Sequence, residues 1–154
     1  MPTHFYKTTS FRQTKKLANL LARKFLQRRL KQKGALVLAL SGDLGAGKTT
    51  FVQGFLRGLG VRKKITSPTF VIIKNYELRI KNHGKYGRAY HIDCYRIKKV
   101  KELLDLGLKE ILENPQNIVL IEWAERIKRA LPKNAVWLKF EHGEKENQRI
   151  IHLV

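Results

Sequence analysis

Residues 35–50, ALVLALSGDLGAGKTT, constrain this chain more than any other stretch. Six apolar residues in a row, 35–40, are what a strand buried on both faces requires. Phe51, Val52, Phe55 and Leu56 then recur at helical spacing as far as Gly58 and Gly60. Between the two, Gly42-Asp-Leu-Gly-Ala-Gly47-Lys48-Thr49 fits G-x-x-x-x-G-K-[ST], and it does so after a strand and at the opening of a helix, the context that gives the pattern meaning. A glycine turn that only linked strand to helix would need neither the lysine nor the threonine.

The residue types follow from the chemistry of phosphate. Glycines let the backbone turn tightly round an anion and aim N–H groups inward. The helix starting near Lys48 adds its positive end and unpaired N–H groups. Lys48 reaches the β and γ phosphates as a flexible point charge, and the Thr49 hydroxyl ligates Mg²⁺ beside those oxygens. The expected nucleotide-binding residues are therefore Gly42, Asp43, Leu44, Gly45, Ala46, Gly47, Lys48, Thr49 and Thr50, with a nucleotide's phosphates and Mg²⁺ as their ligands.

Such an enzyme also needs a carboxylate at the end of a second strand, to hold the metal or orient the attacking group. Glu122 closes the apolar run 118–121 (IVLI) and is the expected metal ligand with Thr49. Asp93 closes RAYHID at 88–93. Lys48, Asp93 and Glu122 are the expected catalytic residues, and the acid that orients the water is left open between the last two. Thr69, after Ser67 and Pro68, resembles a switch threonine that senses a γ phosphate, although the same residues could simply turn the chain into a strand. Trp123 follows Glu122 and either packs near the nucleotide or fills core. His91, Asp93 and Cys94 match no zinc spacing, so no zinc is expected. No pattern marks an arginine finger.

The rest of the chain reads as further α/β elements. Residues 4–9 form a short strand, and Ser10-Phe-Arg-Gln13 is a capping box that opens a helix ending at Gly34. Leu17, Ala18, Leu21 and Phe25 make its apolar face. Arg12, Lys15, Lys16, Arg23, Lys24, Arg28, Arg29 and Lys31 make a solvated one. Residues 70–78 and 88–94 read as a hairpin around a turn at 81–87. Val100, Leu103, Leu104, Leu108 and Ile111 mark one helix that Asn114-Pro115 breaks. A short helix at 124–130 precedes two strands, 135–141 and 149–154, joined through the polar tip 142–147.

With 154 residues the whole chain, 1–154, is expected to be one domain. No apolar run approaches the ~18 residues of a membrane span, the amino terminus lacks a signal-peptide core, and one cysteine permits no internal disulfide, which points to a reducing cytoplasm. Thirty-two Lys and Arg against twelve Asp and Glu leave a net charge of +20. That surface attracts polyanions but equally reflects composition bias, and it does not bear on fold.

In order along the chain, SGDLGAGKTTFVQGFLRGLGV, ITSPTF, YHIDCYRI, ELLDLGLKEIL, LIEWAERI and LP resemble the bacterial TsaE family, the small P-loop ATPases of tRNA threonylcarbamoyladenosine biosynthesis. The resemblance covers roughly residues 8–140 and implies a single P-loop NTPase-like α/β fold, a mixed β-sheet flanked by helices. It implies hydrolysis of ATP to reset a partner pair, TsaD and TsaB, which transfers a threonylcarbamoyl group to adenosine 37 of tRNA. By the same resemblance Lys48 and Thr49 match the phosphate and Mg²⁺ positions, Glu122 the metal-site acid and Asp93 an aspartate needed for activity. Ser67, Pro68 and Thr69 match a switch-like segment, and Trp123 the tryptophan beside the acid. The basic first helix is not a family feature. Two rival readings keep the phosphate loop: a small-molecule kinase, or a nucleotide-regulated tRNA-binding protein.

Overall fold

A computed structural model describes residues 4–28, 31–79 and 86–154. Its elements are β1 (His4–Thr8), α1 (Phe11–Gln27), β2 (Leu36–Gly42), α2 (Lys48–Gly58), β3 (Ile73–Glu77), β4 (Arg88–Asp93), α3 (Val100–Leu104), α4 (Leu108–Glu113) and β5 (Asn117–Glu122). A 3-10 turn (Ala124–Ala130), β6 (Val136–His142) and β7 (Arg149–Leu153) follow. The strands form one mixed sheet in the order β1-β7-β6-β2-β5-β4-β3, flanked by helices on both faces. β6, β2, β5 and β4 run parallel, while β7, β1 and β3 pair antiparallel at the two sides.

The apolar run in β2 serves both faces because side chains alternate along a strand. Leu36, Leu38 and Leu40 pack with Ile118 and Leu120 of β5 beneath α1 and α2. Val37 and Ala39 pack with Val119 and Ile121 in the opposite layer, with Leu103, Leu108 and Ile127. In the parallel register Leu40 lies opposite Glu122, and Asp93 lies opposite Glu122. The carboxyl ends of β2, β5 and β4 therefore lie side by side, where open α/β sheets bind ligands.

Ser10 caps α1 as expected, its hydroxyl accepting from the Gln13 N–H at 3.2 Å. The Gln13 side chain reaches one residue further back than a capping box prescribes. Its Oε1 accepts from the Thr9 N–H at 2.8 Å and the Thr9 hydroxyl at 3.0 Å. α1 does not run on to Gly34. It ends at Gln27, with Arg28 in an extended conformation. Leu26 is its last buried side chain. Arg29 lies outside the described residues, and Lys31 lies beyond the helix.

The expected single helix over Val100–Ile111 is two short ones, α3 and α4. Leu103 and Leu108 are both fully buried in the same cluster. At about 100° per residue, five positions would set them about 140° apart on one continuous helix. The chain instead closes α3 with Leu106 and Gly107 N–H bonds to Leu103 and Leu104, and Gly107 at φ +92° starts α4. Of the strand expected at 70–78, only Ile73–Glu77 pairs, with Ile73 opposite Ile92 and Glu77 opposite Arg88 as in a hairpin. Residues 81–85 of the expected turn lie outside the described residues. Among those described, no helix is long and apolar enough to cross a membrane.

α1 crosses α2 closely because Gly54 has no side chain. A Cβ there would lie 2.4 Å from the Lys15 carbonyl oxygen and 2.6 Å from its Cα. Glycine to alanine in an ordinary helix stabilises by about 1 kcal/mol. Gly54→Ala should do the reverse, destabilising by about 1–3 kcal/mol as α1 is pushed off the sheet. Urea unfolding of the two proteins measures this, and a more stable variant would contradict the close crossing.

Candidate active site

A cleft of about 470 Å³ opens at the carboxyl ends of the parallel strands. Loop residues 44–50 form its floor, Ser67, Thr69, Asp93, Tyr95, Glu122 and Trp123 one wall, and Phe11 and Arg149 the other lining side chains. The chain leaves β2 through Gly42, whose φ is +134° and whose Cβ would meet the Phe140 carbonyl oxygen at 2.3 Å. No other residue fits that close approach of β6.

Lys48, in the first turn of α2, folds back across its own loop. Its Nζ donates to the carbonyls of Gly42 at 2.5 Å and Asp43 at 2.9 Å, and stands 4.0 Å from the centroid of the Trp123 ring. Only 4% of the residue is exposed. Burial pulls the ammonium below the ordinary lysine pKa, opposed by the fields of Glu122, Glu125, Asp43 and Asp93. The loop thus holds a desolvated cation that is hydrogen-bonded to carbonyls and faces the Trp123 ring.

Glu122 is 3% exposed and is held from two elements. The Thr49 hydroxyl donates to its carboxylate, lying 2.9 Å from Oε1 and 2.8 Å from Oε2. From β4, His91 Nε2 donates to Oε1 at 2.7 Å, while its Nδ1 is buried without a partner. The Thr49 and Glu122 oxygens are the hard donors that Mg²⁺ takes, so this pair fits that ion.

Asp93 belongs to a second cluster. Its Oδ2 accepts from the Thr69 hydroxyl at 2.9 Å and the Ser67 hydroxyl at 3.4 Å, and its Oδ1 from the Tyr95 N–H at 2.9 Å. The Ser67 and Thr69 hydroxyls are 2.6 Å apart, and the Pro68 carbonyl accepts from the Ile72 N–H at 2.6 Å. Ile72 and Trp123 are the positive-φ residues other than glycine among those described, at 69° and 56°. Each abuts an acid: Ile72 O accepts from the Asp93 N–H at 3.0 Å, and Trp123 follows Glu122. Strained backbone of this kind persists only where the surrounding structure holds it.

The structure brings Lys48, Thr49, Asp93, Glu122, Ser67, Thr69 and Trp123 to one cleft. Trp123 turns to it, against Lys48 and 5.0 Å from the Tyr95 ring. Sequence reasoning missed the tie between His91 and Glu122, and it missed Arg149. The i, i+2 spacing of His91 and Asp93 put both on one strand face, but the β4–β5 register sets His91 opposite Leu120, and its ring reaches diagonally to the Glu122 carboxylate. Nothing local to residue 149 marks its place beside the loop.

Removing the Glu122 carboxylate strands the Thr49 hydroxyl and His91. Glu122→Leu should cost the ligand-free protein about 1–3 kcal/mol, with part restored in Glu122→Gln, whose amide oxygen still accepts. Thermal and urea unfolding measure both, and equal stability of the leucine variant would contradict these bonds.

The family model of the threonylcarbamoyl adenosine biosynthesis protein TsaE matches residues 8–151. Among the relatives is a tRNA threonylcarbamoyladenosine biosynthesis protein TsaE of Bacillus subtilis, 42% identical over 114 residues, spanning 74% of this chain and 66% of that protein. The protein of the same description from Treponema pallidum is 39% identical over 108 residues, 70% of this chain and 73% of its own. That from Rickettsia felis is 36% identical over 143 residues, 92% and 74%. The crystal structure of Bacillus subtilis YdiB superposes with a TM-score of 0.73 at 32% identity, covering 99% of this chain and 84% of that one. On a match that runs nearly end to end, the chain belongs to the TsaE family of tRNA threonylcarbamoyladenosine biosynthesis proteins.

Proposed function

We propose that this protein is a Mg²⁺-dependent ATPase that serves tRNA threonylcarbamoyladenosine formation by hydrolysing ATP to reset a TsaD–TsaB transferase between turnovers. The observation that carries the reading is the convergence of a desolvated Lys48 and two separately held carboxylates on one phosphate loop.

Lys48 exchanges the Gly42 and Asp43 carbonyls for phosphate oxygens, and the N–H groups of the loop and of the first turn of α2 face the same charge. Thr49 and Glu122 hold Mg²⁺, which when bound neutralises charge on the phosphate oxygens. His91 keeps the Glu122 carboxylate turned to Thr49. With Glu122 so engaged, Asp93 orients the attacking water. Thr69 and Ser67, bonded to Asp93, make that orientation depend on the 67–69 segment. Water attacks the γ phosphorus, the bond to the β–γ bridging oxygen breaks, and ADP and inorganic phosphate leave.

Partner control follows from what flanks Thr69. Phe70 and Val71, directly after the residue that bonds Asp93, are 84% and 60% exposed. An apolar pair in that place suits contact with a partner protein, and the contact would set Asp93 through Thr69. Through such a pair the protein would act on tRNA adenosine 37 without making the carbamoyl bond itself.

Lys48→Ala should abolish turnover. Asp93→Asn should lower turnover while leaving the dissociation constants of ATP and ADP within about twofold. Titration calorimetry beside a phosphate-release assay separates the two effects, and equal loss of binding and turnover in Asp93→Asn would remove its role with water.

A further inference from the structure

Besides Lys48, the cation that lines the cleft is Arg149, the first residue of β7. It is 8% exposed. A guanidinium cannot shed its charge, and a buried charge is costly unless it is paired. Among the described residues no carboxylate lies within ion-pair distance of Arg149. Its Nη1 donates to the carbonyls of Glu146 at 2.6 Å and Gln148 at 2.9 Å, and its buried Nε has no acceptor. Those carbonyl bonds fix the guanidinium without neutralising it.

The side chain is fixed against the phosphate loop. A Cβ on Gly47 would lie 3.6 Å from Arg149 Cγ and 3.8 Å from its Cδ and Nε. The sheet order shows which side it comes from. β6 and β7 lie to one side of β2, while β5 and β4, which carry Glu122 and Asp93, lie to the other. The acids reach the loop from one flank and an unneutralised arginine from the opposite flank.

We propose that Arg149 anchors nucleotide in cis, its guanidinium pairing with the phosphate oxygens that face away from Thr49 and Glu122. This rests on the reading of the cleft as a nucleotide site. Because Arg149 stands on the flank opposite the acids, it holds nucleoside diphosphate and triphosphate alike and acts in binding rather than in bond cleavage.

Arg149→Met keeps the aliphatic length and removes the charge. The wild-type protein, this variant, Arg149→Lys and Lys48→Ala are titrated with ADP and with ATP in the presence of Mg²⁺, and melted with and without ADP. Arg149→Met should lose about 10- to 100-fold in affinity for both nucleotides. Its ligand-free melting temperature should hold or rise, because an unpaired buried charge is gone. Arg149→Lys, with a point charge in place of a fork, should fall between. Affinity within about twofold of wild type in a folded Arg149→Met overturns the proposal and leaves Arg149 as a brace for residues 142–149. If Arg149→Met does not fold, Arg149→Lys decides by the same affinity criterion. If the wild type binds neither nucleotide, the nucleotide reading itself falls. If it binds and Lys48→Ala does not, while the arginine variants bind normally, only the role of Arg149 falls.

Discussion

The hydrogen bond from the Thr49 hydroxyl to the Glu122 carboxylate joins the parts of this molecule on which its chemistry depends. It ties the first turn of α2, and with it the phosphate loop, to the end of β5. His91 brings β4 to the same carboxylate. Loop, Glu122 and the strand that carries Asp93 are thereby held in one geometry. A buried carboxylate tolerates this only because donors meet it from both sides. The parallel register that sets Asp93 opposite Glu122 brings the second acid within the same cleft.

The other flank of the loop is built differently. Gly42 lets β6 approach to a distance no side chain would permit, and β7 beyond it delivers Arg149 to Gly47. The site is thus polarised across β2, with carboxylates on the β5 side and a guanidinium on the β7 side. Lys48 sits between them, bonded to carbonyls that cannot cancel its charge. A phosphate chain with a divalent cation on one edge is the ligand such an arrangement complements.

Much of this was legible in the sequence, because local rules coincide with the fold there. The apolar run in β2, the glycine loop and the periodic face of α2 each carry their own signal, and the acids at the ends of β4 and β5 follow from where strands stop. What was not legible depends on tertiary packing. α1 stops at Gln27, where Arg28 turns extended, although the sequence beyond still suits a helix. α3 and α4 divide because Leu103 and Leu108 must enter one core, a demand that the 3.6-residue pattern alone conceals. His91 reaches its acid diagonally across two strands, and Arg149 reaches the loop through a sheet order in which β6 separates β7 from β2. No spacing within the chain encodes either contact.

The central claim is that these residues hydrolyse ATP under the control of a partner. The most direct test is the rate of phosphate release by the purified protein, alone and with the TsaD–TsaB pair. Slow release alone, raised strongly by the pair, is the predicted result. Release that is indifferent to the pair would contradict partner control, and no release under either condition would contradict the ATPase itself.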